Sequence, residues 1–202
     1  MRIVAGKHKG TKLFTFELDN IRPTLDIVRE GVFNKIQFEI VDANVLDLFA
    51  GTGAFSLEAL SRGAKYVVSV DKNVDSINLI HKNYSKCHEV GNIINSDFAS
   101  AIRKLEGKIR FDIVFLDPPY ASNFGFDALK LLSNSSIVDQ DTLFIYETDD
   151  MVDKVASFDI VDHKTDYSYS TPSQVSGGHE RHHRTSHGPA FAAQRLHDRT
   201  GP

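Results

Sequence analysis

The sequence predicts an α/β protein, built on a mostly parallel sheet with helices on both faces and carrying a β-hairpin and a helix at its N-terminal end. Three observations lead there. Short apolar runs of strand length recur at Val45–Leu48, Val67–Val70, Phe111–Leu116 and Thr142–Glu147. Between them lie stretches whose apolar residues fall at helical spacing, and strand alternating with helix at these lengths builds a parallel sheet through right-handed crossovers. The stretch Val45-Leu46-Asp47-Leu48-Phe49-Ala50-Gly51-Thr52-Gly53-Ala54 joins the two kinds of element. It reads as a buried strand, a turn made tight by glycines, and the start of a helix.

Composition sets the limits. A chain of 202 residues with 41% hydrophobic and 25% charged residues can bury one domain's core with a small extension. No apolar run of membrane-spanning length and no signal peptide after Met1 are visible, so a cytoplasmic protein without a membrane partner is expected. The single cysteine, Cys87, excludes an internal disulfide framework and suits a reducing compartment.

In chain order, Met1 to Phe16 reads as two short strands, Arg2–Ala5 and Lys12–Phe16, around Gly6-Lys7-His8-Lys9-Gly10. Residues 1–35 hold seven Lys or Arg against four acids, in a chain whose net charge is −4. That asymmetry suggests an end that approaches a phosphate backbone through Arg2, Lys7, His8, Lys9, Lys12 and Arg22; a solvated hairpin with ordinary surface lysines is the plainer reading. Ile27, Val28, Val32, Phe33 and Ile36 then mark a helix that Thr24 would cap. On it, Arg29, Glu30 and Asn34 read as surface residues of an amphipathic face.

The helix at about 54–62 leads to a strand at about 66–70, and Val74, Ile77, Ile80, His81 and Tyr84 line the next helix. Gly91–Asn95 is a third strand. Ser96-Asp97-Phe98 follows it, opening a helix with Ala101, Ile102 and Leu105. After the fourth strand, Ala121–Gly125 is a loop, Phe126, Leu129, Leu131 and Leu132 pack a helix, and Thr142–Glu147 is the fifth strand. Phe158–Val161 reads as a sixth.

The acids at the strand ends describe a ligand. A pyrophosphate on the glycine turn would be repelled by Asp47, whereas an ammonium or sulfonium group is attracted to it directly or through water. Asp71, eighteen residues after Gly53, is placed to accept both hydroxyls of a ribose. A cationic amino-acid moiety and a ribose together describe S-adenosylmethionine. Phe49, Ala50, Gly51, Thr52 and Gly53 would form its turn and Lys72 would flank the ribose. Asp97 would accept from the adenine amine beside Phe98, although Asp97 or Ser96 capping the following helix accounts for the residues as well. Asp117-Pro118-Pro119-Tyr120 then ends the fourth strand, at the edge where open α/β sheets bind ligands.

These motifs carry a resemblance. Acid-Pro-Pro-aromatic after the fourth strand resembles the catalytic motif of methyltransferases that modify exocyclic amines of nucleobases. Met1–Gly6 with Gly10, Arg22-Pro23-Thr24, Val28-Arg29-Glu30 with Phe33-Asn34, Asp47–Gly53, Leu57–Ala64 and Asp117–Tyr120 jointly resemble the bacterial ribosomal RNA small-subunit methyltransferase D family, over about residues 1–165. The resemblance implies a Rossmann-like class I S-adenosylmethionine-dependent methyltransferase at 41–170, after an RNA-contacting extension at 1–40. It implies methylation of the N2 amine of one guanine in 16S rRNA, within a 30S subunit or an assembly intermediate, by a monomer. It also places Arg22 and Thr24 over the cofactor, at the base pocket.

In the catalytic reading, Asp117 and the carbonyl of Pro118 grip the amine hydrogens, Pro119 stiffens the loop and Tyr120 stacks on the base. No metal is required. Two other readings use the same residues: an adenine-N6 methyltransferase of DNA or RNA, and a non-catalytic RNA-binding protein with a vestigial cofactor pocket. From Thr171 the composition shifts to Gly, Ser, Pro and Arg with five of the nine histidines, so 171–202 is expected to be a disordered, atypical tail. That leaves His163–Ser170 as the candidate for the last strand.

Overall fold

The computed structural model describes residues 1–16, 22–119, 123–148, 158–164 and 190–196. In chain order the elements are α1 (Arg22–Lys35), β1 (Asn44–Asp47), α2 (Ala54–Ser61), β2 (Tyr66–Asp71), α3 (Val74–Lys86) and β3 (Asn92–Asn95). They continue as α4 (Phe98–Leu105), β4 (Ile113–Leu116), α5 (Phe124–Leu132), β5 (Leu143–Thr148), β6 (Phe158–Lys164) and β7 (Ala190–Leu196). The strands form one sheet in the order β3-β2-β1-β4-β5-β7-β6. β1 to β5 are parallel, and β7 runs antiparallel between β5 and β6. This is the Rossmann-like arrangement the sequence predicts.

Side chains of the central strands alternate between two apolar layers. Val45, Val67, Ile113, Phe115 and Ile145 face the layer that holds Phe33 of α1, Leu57 of α2 and Ile80 of α3. Leu46, Val68, Val70, Val114 and Phe144 face the layer of Ile102 in α4 and Leu129 in α5. A parallel sheet covered on both faces requires this, which is why its strands read as continuous apolar runs.

Three expectations are corrected. The last strand is Ala190–Leu196, inside the stretch expected to be disordered, and not His163–Ser170. The remainder of 171–202 lies outside the described residues, as do 165–170. Alanine-rich and set among Gly, Ser and His, 190–196 carries a weak strand signal of its own. Two flanking ladders, Ile145↔Ala193 to β5 and His163↔Ala192 to β6, supply the backbone hydrogen bonds that make it a strand. Thr24 does not precede the helix. α1 already begins at Arg22, with Pro23 in its first turn, where a missing N–H costs nothing.

The N-terminal segment is a pinned arm more than a free hairpin. A single antiparallel bridge joins Arg2 and Lys12, flanked by Ile3 N–H to Thr11 O at 3.0 Å and Gly10 N–H to Ile3 O at 2.8 Å. The arm covers α2, which explains why that helix is buried on nearly every face. Glu58 Oε2 accepts from the Val4 N–H at 2.7 Å and Oε1 from the Ala5 N–H at 3.0 Å, while Arg62 Nε donates to Oε1 at 2.7 Å. Arg29 is buried too, donating to the carbonyl of Arg2 and lying 3.9 Å from Glu58, so its surface assignment is corrected. Glu30 and Asn34 are exposed. Gly6, at φ +79°, approaches α2 so closely that an added Cβ would lie 1.8 Å from the Ser61 carbonyl oxygen. No helix among the described residues is long and apolar enough to cross a membrane.

Candidate active site

Strand order reverses between β1 and β4, and their C-terminal ends open there onto a cleft of about 380 Å³. Open α/β sheets bind ligands at such a switch point. β1 and β4 are paired side by side, Asp47 opposite Phe115, so the segments that follow both strands meet at one mouth. Leu48, Phe49 and Gly51 line it from one, Asp117, Pro118 and Pro119 from the other.

Gly51 makes the turn at φ +53°, and a Cβ built there would find no protein atom within 4 Å. The turn therefore faces open space, where a ligand can reach the backbone. Its N–H donates to Asp71 Oδ2 at 2.9 Å, and Asp71 Oδ1 accepts from the Asn73 N–H at 2.8 Å. Asp71 thus holds the rim of the turn and still has lone pairs for the hydroxyls of a ribose. Asp97 lines the cleft from beyond β3 and caps α4, its Oδ1 accepting from the Ser100 N–H at 2.9 Å. Those Ser100 hydrogen bonds hold its carboxyl below the usual range, so it is an acceptor at neutral pH. Asp97 thus caps α4 and also lines the cleft.

Aromatic rings form one wall. Phe49 and Phe98 have centroids 5.7 Å apart, and Phe98 and Phe124 are 5.8 Å apart. Lys72 Nζ sits 5.0 Å from the Phe124 centroid. A flat purine fits such a wall. Phe124 escaped the sequence reading because it falls where a loop is expected. Its only signal is an aromatic four residues past Tyr120.

Other expected residues lie beneath or behind the cleft. Asp47 is buried under the turn, its Oδ2 accepting from the Ser56 N–H at 3.1 Å and the Ser56 hydroxyl at 2.6 Å. Burial pushes its carboxyl up to about 7, and the charges of Asp117 and Asp71 raise it further while the Ser56 hydrogen bonds oppose the rise. Ala50 is buried, with its N–H on Val70 O at 2.9 Å. The Thr52 carbonyl accepts from Asn83 Nδ2 at 2.9 Å and its hydroxyl contacts Met1 Sδ at 3.4 Å. Gly53 stands just before α2. Ser56 falls three residues after Gly53, where a dinucleotide fingerprint has its third glycine. Asn83 had no sequence signal. Tyr120 lies outside the described residues, and for Arg22 and Thr24 the structure gives only the backbone of the first turn of α1.

Among the expected RNA contacts, Arg2, Lys9 and Lys12 are exposed. Lys7 and His8 are both drawn to Glu89, at 2.6 Å and 2.5 Å. Burial works to raise the Glu89 carboxyl, but the hydrogen bonds from Lys7 and His8 outweigh it and leave it below its ordinary value.

The family model described as conserved hypothetical protein 95 matches residues 1–171. Ribosomal RNA small subunit methyltransferase D of Haemophilus influenzae is 35% identical over 152 residues, which are 74% of this chain and 79% of that protein. The chain belongs to the ribosomal RNA small subunit methyltransferase D family. Its Escherichia coli member is 33% identical over 151 residues, 74% of this chain and 75% of the relative. A solved Escherichia coli structure, described as a candidate methyltransferase, superimposes with a TM-score of 0.73 at 26% identity, covering 97% of both chains. The parallel α/β sheet read from the strand pattern is therefore the Rossmann-like fold of the family.

Proposed function

We propose that the chain transfers a methyl group from S-adenosylmethionine to the exocyclic N2 amine of a guanine in 16S rRNA, within the small subunit or an assembly intermediate of it. Methylation of ribosomal RNA with this cofactor follows from the family. The guanine, its amine and the residue roles are our reading. The observation that carries it is the convergence of Asp71, Asp97 and Asp117 from three strand ends on one cleft walled by Phe49, Phe98 and Phe124.

S-adenosylmethionine, when bound, supplies a methyl group already activated by its sulfonium. The chain's task is to place an amine in line with that methyl and to keep water away. Asp71 would accept the ribose hydroxyls, Asp97 would accept from the adenine amine, and the phenylalanine wall would cover the ring. Asp47, buried with its carboxyl at about 7, would favour the cationic end of the ligand in its ionised form. Asp117 takes one hydrogen of the target amine and the carbonyl of Pro118 the other, turning the nitrogen lone pair toward the methyl. Methyl transfer would exchange the sulfonium's S–C bond for the new N–C bond and leave a neutral thioether, and the surplus amine proton would pass to Asp117 or to water at the exposed mouth. The two prolines fix the loop so that both acceptors keep their direction. A paired guanine cannot reach this point, so the base is taken out of its stack.

The test is methyl transfer from labelled S-adenosylmethionine to purified 16S rRNA and to 30S particles lacking the modification, followed by nucleoside digestion and mass spectrometry. N2-methylguanosine is the expected product. N6-methyladenosine would move the reading to the adenine class, and no transfer to either RNA form would remove the catalytic account.

A further inference from the structure

Asn83 of α3 is a fully buried polar side chain that the catalytic account does not use. Its Oδ1 accepts from the Phe14 N–H at 2.7 Å, and its Nδ2 donates to the Phe14 carbonyl at 3.0 Å and to the Thr52 carbonyl at 2.9 Å. Only one orientation of the amide satisfies these partners, since a flip would set Nδ2 against the Phe14 N–H and Oδ1 against two carbonyl oxygens. The partners belong to separate parts of the molecule. Phe14 is on the N-terminal arm, and Thr52 stands between Gly51 and Gly53 in the turn at the cleft. The arm reaches Thr52 a second time, because the Thr52 hydroxyl contacts Met1 Sδ at 3.4 Å and the Leu13 N–H donates to the Met1 carbonyl at 3.2 Å. α3 supports both parts in other ways as well. A Cβ added at Gly53, φ +77°, would lie 3.3 Å from Ile80, and the Lys86 ammonium sits 4.5 Å from the centroid of the Phe14 ring.

We propose that Asn83 is a positioning residue that couples the arm to the cofactor turn, so that docking of residues 1–14 and binding of S-adenosylmethionine favour one another. The inference rests on the reading of Gly51–Gly53 as the cofactor turn and goes beyond it, giving the arm a task that involves no RNA. If the arm lifts, Asn83 loses both Phe14 partners and its cover, and water competes for the N–H that holds Thr52. The peptide between Thr52 and Gly53 is planar and turns as a unit. Released from Asn83 and flanked by two glycines, it gains freedom that a ligand seated on the turn must remove again. With the arm docked, the turn is already set. Linkage makes the effect mutual: whatever the docked arm adds to cofactor affinity, the bound cofactor adds to the docking of the arm.

Hydrogen exchange on the wild-type protein reads this coupling without catalysis. The Val4, Ala5 and Lys7 N–H groups donate to Glu58 and Ser61 of α2, so they report docking of the arm, and none of these residues lines the cleft. Saturating S-adenosylmethionine is expected to slow their exchange about tenfold, while the Lys108 N–H, in the turn after α4, stays within about twofold. Asn83→Leu keeps a side chain of similar size without the amide. Calorimetric titration of that variant is expected to show S-adenosylmethionine bound about tenfold more weakly, and saturating cofactor no longer slows the three arm amides. Should the variant not fold, the wild-type exchange experiment decides alone. Unchanged exchange of the arm amides in wild type with cofactor bound would overturn the coupling and leave the cofactor turn standing. Slowing that persists in Asn83→Leu would also overturn it, whether or not affinity falls, and would leave Asn83 as a local support. No cofactor binding by the wild-type protein would overturn the reading of the turn, and the coupling with it.

Discussion

Asp47 and Ser56 are joined twice through one oxygen: Asp47 Oδ2 accepts both the N–H and the hydroxyl of Ser56, nine positions along the chain. Ser56 Oγ in turn accepts from Ser69 Oγ at 2.7 Å, and Ser69 lies 2.9 Å from the Tyr84 hydroxyl. With its one proton committed to Ser56, Ser69 accepts from Tyr84. A buried polar chain therefore runs Tyr84 to Ser69 to Ser56 to Asp47, locking β1, α2, β2 and α3 around the turn. Satisfied networks of this kind define a single arrangement.

The carboxyl at the end of that chain gives a pH dependence. Its folded value of about 7 lies above the ordinary 3.8. The folded state thus holds the proton more tightly than the unfolded state, a stabilisation fully present below the ordinary value and lost as pH rises through about 7. Asp47→Asn removes the ionisation while keeping an acceptor for Ser56. In the cofactor-free protein, the variant's melting temperature is expected to exceed wild type by several degrees near pH 8, with the gap closing as pH falls toward the ordinary carboxyl value. An equal difference throughout that range would contradict the assignment.

Glu58 anchors the arm. Removing its carboxylate in Glu58→Ala strips the Val4 and Ala5 N–H groups of their acceptor and leaves Arg29 and Arg62 as buried cations without their acid. Breaking a buried pair from one side costs about 3–5 kcal/mol. Urea unfolding should show a loss of that size, and limited proteolysis should cut near Lys7 and Lys9 sooner. Unchanged stability would mean that the arm docks by its apolar residues alone.

Glu89 restrains Lys7 and His8 of the arm. Glu89→Gln is expected to tighten RNA binding several-fold at low salt and to steepen its salt dependence, since Lys7 and His8 become available to phosphates. Filter binding over a salt series measures both. Weaker binding at every salt concentration would show instead that the Glu89 contacts hold the arm in its RNA-binding shape.

Most of the sheet was legible because parallel strands buried on both faces need apolar residues at consecutive positions, as Val45-Leu46 of β1, Val67-Val68 of β2 and Ile113–Leu116 of β4 supply. Asp71, Asp97 and Asp117 were legible for a related reason: topology brings the ends of parallel strands to one edge, so an acid there has a predictable address. What stayed hidden depends on contacts between distant segments. Arg29 looks like an exposed helix residue until the arm folds over it. β7 is a strand through its two ladders rather than its composition. Phe124 joins the cleft only because α5 starts beside Phe98. Asp47 shows a finer limit, since its position at the end of β1 was readable but its depth under Ser56 was not.

The central claim is that one cleft brings methyl donor and acceptor amine together, with Asp117 on the acceptor side. Asp117→Ala tests it when calorimetric titration with S-adenosylmethionine is set beside single-turnover methyl transfer to 30S particles. Cofactor affinity within a few-fold of wild type together with a transfer rate lowered by at least about a hundredfold is the expected pair of results. Transfer at the wild-type rate would contradict the claim.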